Sequence, residues 1–190
     1  MDTINIFKGS RKYIHGTTIF DSVYSSYKAK HKSLSQYHFD LKLISPALRP
    51  LKVIQNRELT KNEIKARMIV SHDSLKKTFY FVEADQECEF ERVVYDEDSI
   101  ISNFELTNDG IGIIPSSEYS LIEVIVSLNK KLLNMIFGNS SWYFVKLSLH
   151  SIPDSIDYIE LHNVGNKSVI TKTNILINGM NAGNLNFSIR

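Results

Sequence analysis

The stretch from Ser117 to Phe137 constrains the fold more than any other part of this chain. Its pattern predicts one long helix, capped by Ser117 or Ser120 and stopped by Gly138-Asn139. Between Leu121 and Leu128 this helix is apolar on nearly every side. Such a helix is normally enclosed by protein. The rest of the chain must therefore build a structure that surrounds it.

Each of two predicted helices is followed by strand patterns. The other helix runs from Thr17 to Lys30, with Thr17 or Thr18 as its cap and apolar residues recurring every fourth position. The alternating apolar segments that predict strands are Tyr37–Ile44, Leu48–Gln55, Glu63–Ser71 and Thr78–Ala84, then Trp142–Leu149, Ile156–His162, Ser168–Ile177 and Asn184–Ile189. Asn178-Gly179 predicts a tight hairpin between the last two strands.

One helix followed by about four antiparallel strands thus occurs twice, which indicates an internal repeat. Corresponding residues are separated by 102 to 106 positions, as in the pairs Asp21 and Glu123, Phe39 and Phe144, and Phe81 and Phe187. We predict an α+β protein with halves at residues 1–98 and 99–190. The acidic stretch from Glu83 to Asp98 would form an edge strand and turn at the boundary.

Composition and charge narrow the classes of function. Lys and Arg total 22 against 21 Asp and Glu, so the balance predicts no nucleic-acid partner, although a small local basic patch stays open. The single Cys88 excludes an intramolecular disulfide and a Cys-rich zinc site. No nucleotide-binding loop or nucleophile elbow is present, and we expect neither cofactor nor metal. Without a signal-like or membrane-spanning stretch, a cytoplasmic location is expected.

A long buried helix followed by a meander of strands resembles the hotdog fold. Two such halves resemble a double hotdog, as in polyketide dehydratase domains and some acyl thioesterases. Near the N-terminus, the helix motif of the 3-hydroxyacyl-carrier-protein dehydratases aligns without gaps: Phe7 stands at its His, His15 and Gly16 at its Pro-Gly, and Asp21 at its acid. The segment 121–124 resembles the start of the second helix in polyketide dehydratase domains, with Glu123 at the acid position.

The resemblance implies chemistry on acyl thioesters, with an acyl carrier protein or acyl-CoA as the partner. Asp21 or Glu123 would be the acid/base, the Gly16 N–H would polarise the carbonyl, and His15 would carry a second proton. Asp21 and Glu123 could equally be first-turn acids that complement helix dipoles, and His15 an ordinary turn residue. Glu123 among apolar neighbours needs a partner if it is buried.

Two functions stay open at this point. The first is a dehydratase-like or thioesterase-like hotdog protein in fatty-acid or polyketide-type metabolism. The second is a catalytically silent hotdog-like module that binds an acyl chain or a protein, and Phe7 in place of the family's His favours it. The basic cluster of Lys8, Arg11 and Lys12 would face a phosphate, an acidic carrier surface or solvent. A homodimer is left open.

Overall fold

The structure, a computed structural model, describes residues 3–55, 59–60, 62–85, 90–165 and 169–189. Within these residues there are three helices: α1 (Gly16–Lys28), α2 (Glu97–Ile100) and α3 (Leu121–Phe137). The strands are β1 (Ile6–Lys8), β2 (His38–Leu43), β3 (Leu51–Ile54), β4 (Ile64–His72), β5 (Leu75–Glu83), β6 (Glu91–Val93), β7 (Glu105–Leu106), β8 (Ile111–Ile113), β9 (Trp142–Leu149), β10 (Ile159–Asn163), β11 (Ile170–Ile177) and β12 (Met180–Ile189).

Ten of these strands form one antiparallel sheet that runs through the whole molecule. Its order is β3-β5-β4-β2-β9-β12-β11-β10-β8-β7. The strands of the two halves join at β2 and β9, where Phe39 lies opposite Leu149 and Leu41 opposite Leu147. These four side chains are fully buried, so the junction between the two parts of the sheet lies in the middle of the core.

The apolar helix predicted from the sequence is α3, and it is buried as expected. Ile122, Ile125 and Leu128 have no exposed surface, and α3 packs against β8 and β10. The shorter α1 is buried along its first half and exposed at Lys28. A sheet with helices on its apolar face is a standard way to bury both. None of the described helices has the length and hydropathy needed to cross a membrane.

The start of α1 and the structure of the acidic stretch differ from the predictions. The α1 cap is His15, which makes no side-chain capping bond, whereas Thr17 and Thr18 lie inside the helix. The acidic stretch also holds more structure than an edge strand and turn. Its strand β6 pairs in parallel with β1, and Asp96 caps the short α2 by accepting hydrogen bonds from the two N–H groups at residues 98 and 99. Cys88 lies outside the described residues.

The two halves arrange their last strands differently. In the first half β4 lies beside β2, whereas in the second half the last strand, β12, lies beside β9. In the second half β11 is antiparallel to its neighbour β10, whereas β3 and β4 are both antiparallel to β5, which lies between them. The predicted match of Phe81 with Phe187 therefore does not join equivalent places in the sheet.

The predicted hairpin between β11 and β12 is confirmed. Asn178 and Gly179 have φ angles of 51° and 76°, both in the left-handed region that this two-residue turn requires. Ile177 pairs with Met180 directly across the turn. The turn fixes the register of the longest strand, β12, which then pairs with β9 at the centre of the sheet.

Candidate functional site

The N-terminal ends of α1 and α3 meet in the structure, and this brings the two candidate acids together. Ser120 caps α3 with its side chain, and Glu123 completes a reciprocal capping box with the Ser120 backbone. The Ser120 hydroxyl also donates a 2.8 Å hydrogen bond to Oδ2 of Asp21 on α1. One serine therefore links the carboxyl groups of both helices.

Lys8 is the counter-ion of Glu123. It lies on β1 and is only 6% exposed. Its Nζ is 2.6 Å from Oε1 of Glu123 and 2.8 Å from Oγ1 of Thr17. A buried ammonium is tolerated when a carboxylate and further acceptors replace its water. The sequence had placed Lys8 in a basic cluster at the protein surface, and that expectation is wrong.

His15 extends the same cluster from the other side. Its Nδ1 is 2.9 Å from Oγ1 of Thr17, and its ring lies against the Tyr95 ring at a centroid distance of 5.5 Å. Burial, followed by the nearby charges of Arg11 and Lys8, holds the pKa of His15 well below its ordinary value. The imidazole is therefore neutral at physiological pH.

Together these side chains form one chain of hydrogen bonds, which we call the polar network. Its members, in order of contact, are His15, Thr17, Lys8, Glu123, Ser120 and Asp21. The first three are buried, and the last three are partly exposed. The polar network thus runs from the protein interior to a solvent-accessible end at Asp21.

The two carboxyl groups of the polar network are driven to different protonation states. Burial raises the pKa of Asp21 to about 6, against the opposing effects of the Ser120 hydrogen bond and the Lys8 charge. Burial also acts to raise the pKa of Glu123, but the hydrogen bond from Lys8 and the backbone of Ser120 outweigh it and lower that pKa. At neutral pH, Glu123 is therefore ionised. Asp21 gains and loses its proton about one pH unit below neutrality.

Gly16 has a packing reason to be glycine. It is the first residue of α1, and a Cβ there would lie 2.5 Å from Cδ1 of Leu43 and 2.7 Å from Cδ1 of Phe144. Its N–H belongs to the first helical turn, where no acceptor within the helix is available. Gly16 lies next to His15, but it is not a member of the polar network. Its role as a carbonyl polariser stays a prediction.

Phe7 occupies the place where the family motif has its His. It is 7% exposed and stacks on Phe90 with a centroid distance of 4.0 Å. A phenyl ring has no acidic or basic group, so Phe7 cannot move a proton. The neighbouring Lys8 points into the polar network instead, so a cation rather than an imidazole enters the site from this strand.

Of the other two cations in the expected basic cluster, Lys12 is exposed and Arg11 is paired. Arg11 donates a 2.7 Å hydrogen bond to Glu97, which also pairs with Lys130. These residues border a cleft of about 440 Å³ beside α2 and α3. Tyr95 also lines this cleft, and the Arg11 guanidinium is 5.0 Å from the centroid of its ring. The side of the site that faces this cleft is thus close to charge balance.

Sequence reasoning missed Thr17, Tyr95 and the second role of Ser120. Thr17 and Ser120 carried a signal, since both were candidate caps, but a cap pattern does not reveal a contact across the molecule. Tyr95 lies in the acidic stretch and reaches Ser127 of α3 through its hydroxyl at 3.3 Å. Among the described residues, no group of three or more His, Asp, Glu or Cys side chains is placed to hold a metal ion.

Comparison with known proteins defines the class of fold. No protein-family model matches the sequence, and neither does any curated protein. Solved structures do match over nearly the whole chain. The tesB protein of Mycobacterium avium subs paratuberculosis has a TM-score of 0.55 at 10% identity, covering 98% of this chain and 91% of that one.

Two further solved structures are also similar to this chain over most of its length. A putative thioesterase II from Thermobifida fusca gives a TM-score of 0.53 at 8% identity, with 95% and 88% of the two chains covered. The dehydratase domain of PpsC from Mycobacterium tuberculosis, solved with C12:1-CoA, gives 0.51 at 8% identity, with 94% and 85% covered. All three have the hotdog fold. The chain described here therefore has the hotdog fold, as its resemblance implied.

Proposed function

We propose that this chain is a double hotdog that binds acyl thioesters and acts on them through Asp21. The observation that carries the proposal is the polar network, in which a carboxyl with a pKa of about 6 lies beside an ionised carboxylate. Environments that drive two neighbouring acids apart in pKa are typical of acid/base sites. The halves of the double hotdog would be residues 1–98 and 99–190.

Asp21 is better suited than Glu123 to move a proton. A dehydration removes the proton α to the thioester carbonyl and expels the 3-hydroxyl group as water after it is protonated. Asp21 is partly exposed and exchanges its proton near neutral pH, whereas Glu123 is held ionised by Lys8. In this proposal Glu123 and Lys8 fix Ser120, and Ser120 orients the Asp21 carboxyl.

His15 and Gly16 would have supporting roles. A neutral His15 can accept a proton through Thr17, and the Gly16 N–H at the start of α1 would meet the developing negative charge on the thioester oxygen. The acyl group would come from an acyl carrier protein or from coenzyme A. A homodimer would be compatible with this arrangement, and none of these assignments requires a metal or cofactor.

The test is mass spectrometry of 3-hydroxyacyl and saturated acyl thioesters after incubation with the purified protein. Loss of water identifies a dehydratase, and loss of the acyl group identifies a thioesterase. Asp21→Asn should abolish either activity, while the exposed Asp109→Asn should not change it. If Asp21 donates its proton, the rate should fall as the pH rises above about 6, because the pKa of Asp21 is near that value.

The second candidate is the silent binding module. Two observations support it. Phe7 stands at the family's His position, and Glu123 is held in an ion pair by Lys8. No turnover of any thioester, combined with tight binding of an acyl chain, would favour this candidate. Equal activity in wild type and Asp21→Asn would reject Asp21 as the acid/base.

A further inference from the structure

The far end of α1 leaves part of the sheet without a helix above it. With 13 residues, α1 is about 20 Å long, whereas the nine-residue strands β4 and β5 reach about 30 Å. Lys77 lies on the same face of β5 as the buried Phe79 but is exposed, because this face projects beyond the helix. The tip of the hairpin thus offers an uncovered inner surface.

Four aromatic rings follow one another on this surface, and we call them the ring row. The ring centroids of His72 and Tyr37 are 4.4 Å apart, those of Tyr37 and His31 are 4.9 Å apart, and those of His31 and Tyr27 are 5.7 Å apart. The Tyr37 hydroxyl is 3.1 Å from Nδ1 of His31. His31 is exposed, and the other three rings are partly exposed.

Lysines surround the ring row, and we call them the lysine patch: Lys28, Lys30, Lys32, Lys76 and Lys77. All five are exposed, and in the described part of the chain none of them forms an ion pair. Among the described residues, two carboxylates are close to this surface, Asp73 beside His72 and Asp154 at its border. Positive charge is therefore in local excess, although the whole chain carries only +1.

Three adjoining clefts of about 400, 380 and 330 Å³ connect these groups. The middle cleft combines Lys30 and Lys77 with the rings of Tyr27 and Phe79, and none of the carboxylates that the structure describes lines it. It shares Lys30 and His31 with one neighbour, and Tyr27 and Lys77 with the other. Each cleft is within the size range of small-molecule sites, which is about 300–1,000 Å³.

We propose that the lysine patch and the ring row form a nucleotide-binding site. Lysine ammonium groups would bind the phosphate, and the rings would provide faces on which a base stacks. The same chemistry is presented by a free nucleotide and by a single-stranded nucleic acid. The site lies at the opposite end of α1 from Gly16 and the polar network, so it does not depend on the proposed thioester function. It revises the expectation, based on net charge, of no nucleic-acid partner.

The experiment measures binding of a fluorescein-labelled oligouridylate of about twelve nucleotides by anisotropy, with ATP and inorganic tripolyphosphate as competitors. Lys30→Glu/Lys77→Glu should weaken binding at least tenfold. The matched control is Lys146→Glu/Lys172→Glu, which changes the charge equally at exposed lysines on the outer face of the sheet and should have no effect. Tyr37→Leu should weaken binding with no change of charge.

The outcomes separate the sources and test the proposal. Tight binding of the oligonucleotide with weak competition by ATP identifies a strand, and effective competition by ATP identifies a free nucleotide. Because base stacking adds about tenfold per base, tripolyphosphate should compete more weakly than ATP. Equal competition by the two would overturn the proposal, as would an absence of binding or an equal loss in the control variant.

Discussion

Replacing Lys8 by Met tests the polar network most directly. The side chain of Lys8 is 8% exposed and that of Glu123 is 16% exposed, so the substitution leaves a largely buried carboxylate without its counter-ion. Removing one partner of a buried ion pair typically costs about 3–5 kcal/mol. Since Glu123 keeps the 2.9 Å hydrogen bond from the Ser120 backbone, we expect a loss near the lower end, about 3 kcal/mol.

The assay is urea unfolding at pH 7.5, followed by the fluorescence of Trp142. The double variant Lys8→Met/Glu123→Gln removes both charges and should recover about 2 kcal/mol of the loss, because two neutral groups need no counter-ion. Lys12→Met is the control, since Lys12 is exposed and should change the free energy of unfolding by less than about 0.5 kcal/mol.

The pH dependence gives an independent check. In the wild type the pKa of Glu123 is lowered, so the ion pair adds stability above the unfolded-state pKa and loses it as the pH falls through the folded-state pKa. In Lys8→Met, protonation of Glu123 relieves the unpaired charge, and the difference from wild type should shrink between pH 7.5 and 4. A loss below about 1 kcal/mol at pH 7.5, or the same loss in a Glu123→Gln background, would refute the reasoning.

Three other substitutions follow from the same structure. Asp21→Asn should stabilise the protein at pH 7.5 by about 1–2 kcal/mol. The pKa of Asp21 in the wild type is raised to about 6, so its ionisation lowers the stability of the folded state as the pH rises from about 4 to 6. Urea midpoints measured across that range should fall with pH in the wild type, and this dependence should vanish in the variant. Gly16→Ala should lower the melting temperature by the equivalent of about 1–3 kcal/mol, because its Cβ would overlap Leu43 and Phe144; an unchanged melting temperature would contradict the packing. Asn129→Leu should raise the free energy of unfolding in urea by about 1–3 kcal/mol, since this fully buried amide has no hydrogen-bond partner among the described residues; a lower free energy of unfolding would show that the amide is satisfied.

Much of the fold could be predicted because its elements depend on local patterns. The strand Trp142–Leu149 has the predicted boundaries, and Asn178-Gly179 forms the predicted hairpin turn. Both follow from alternation and turn chemistry, which act over a few residues. The short α2 was missed, because four residues give no periodic pattern.

The sequence allowed us to predict which residues belong to the candidate site, but not which of them contact one another. Asp21, Glu123, His15 and Gly16 were chosen from a motif, and the structure places them around the ends of α1 and α3. Their roles in catalysis stay a prediction. Lys8 was assigned to the surface, since a lysine beside Arg11 and Lys12 reads as solvated when its partner is distant in sequence.

The sequence by itself determined that α3 would be buried and that Glu123 on it would need a partner, because a helix without a polar face must be enclosed and a buried charge must be compensated. Only the tertiary structure decided that the partner is Lys8, separated from Glu123 by 115 positions. It also decided which strand lies beside β9. Contacts of this kind are set by how the sheet brings distant segments together, and no local pattern records that arrangement.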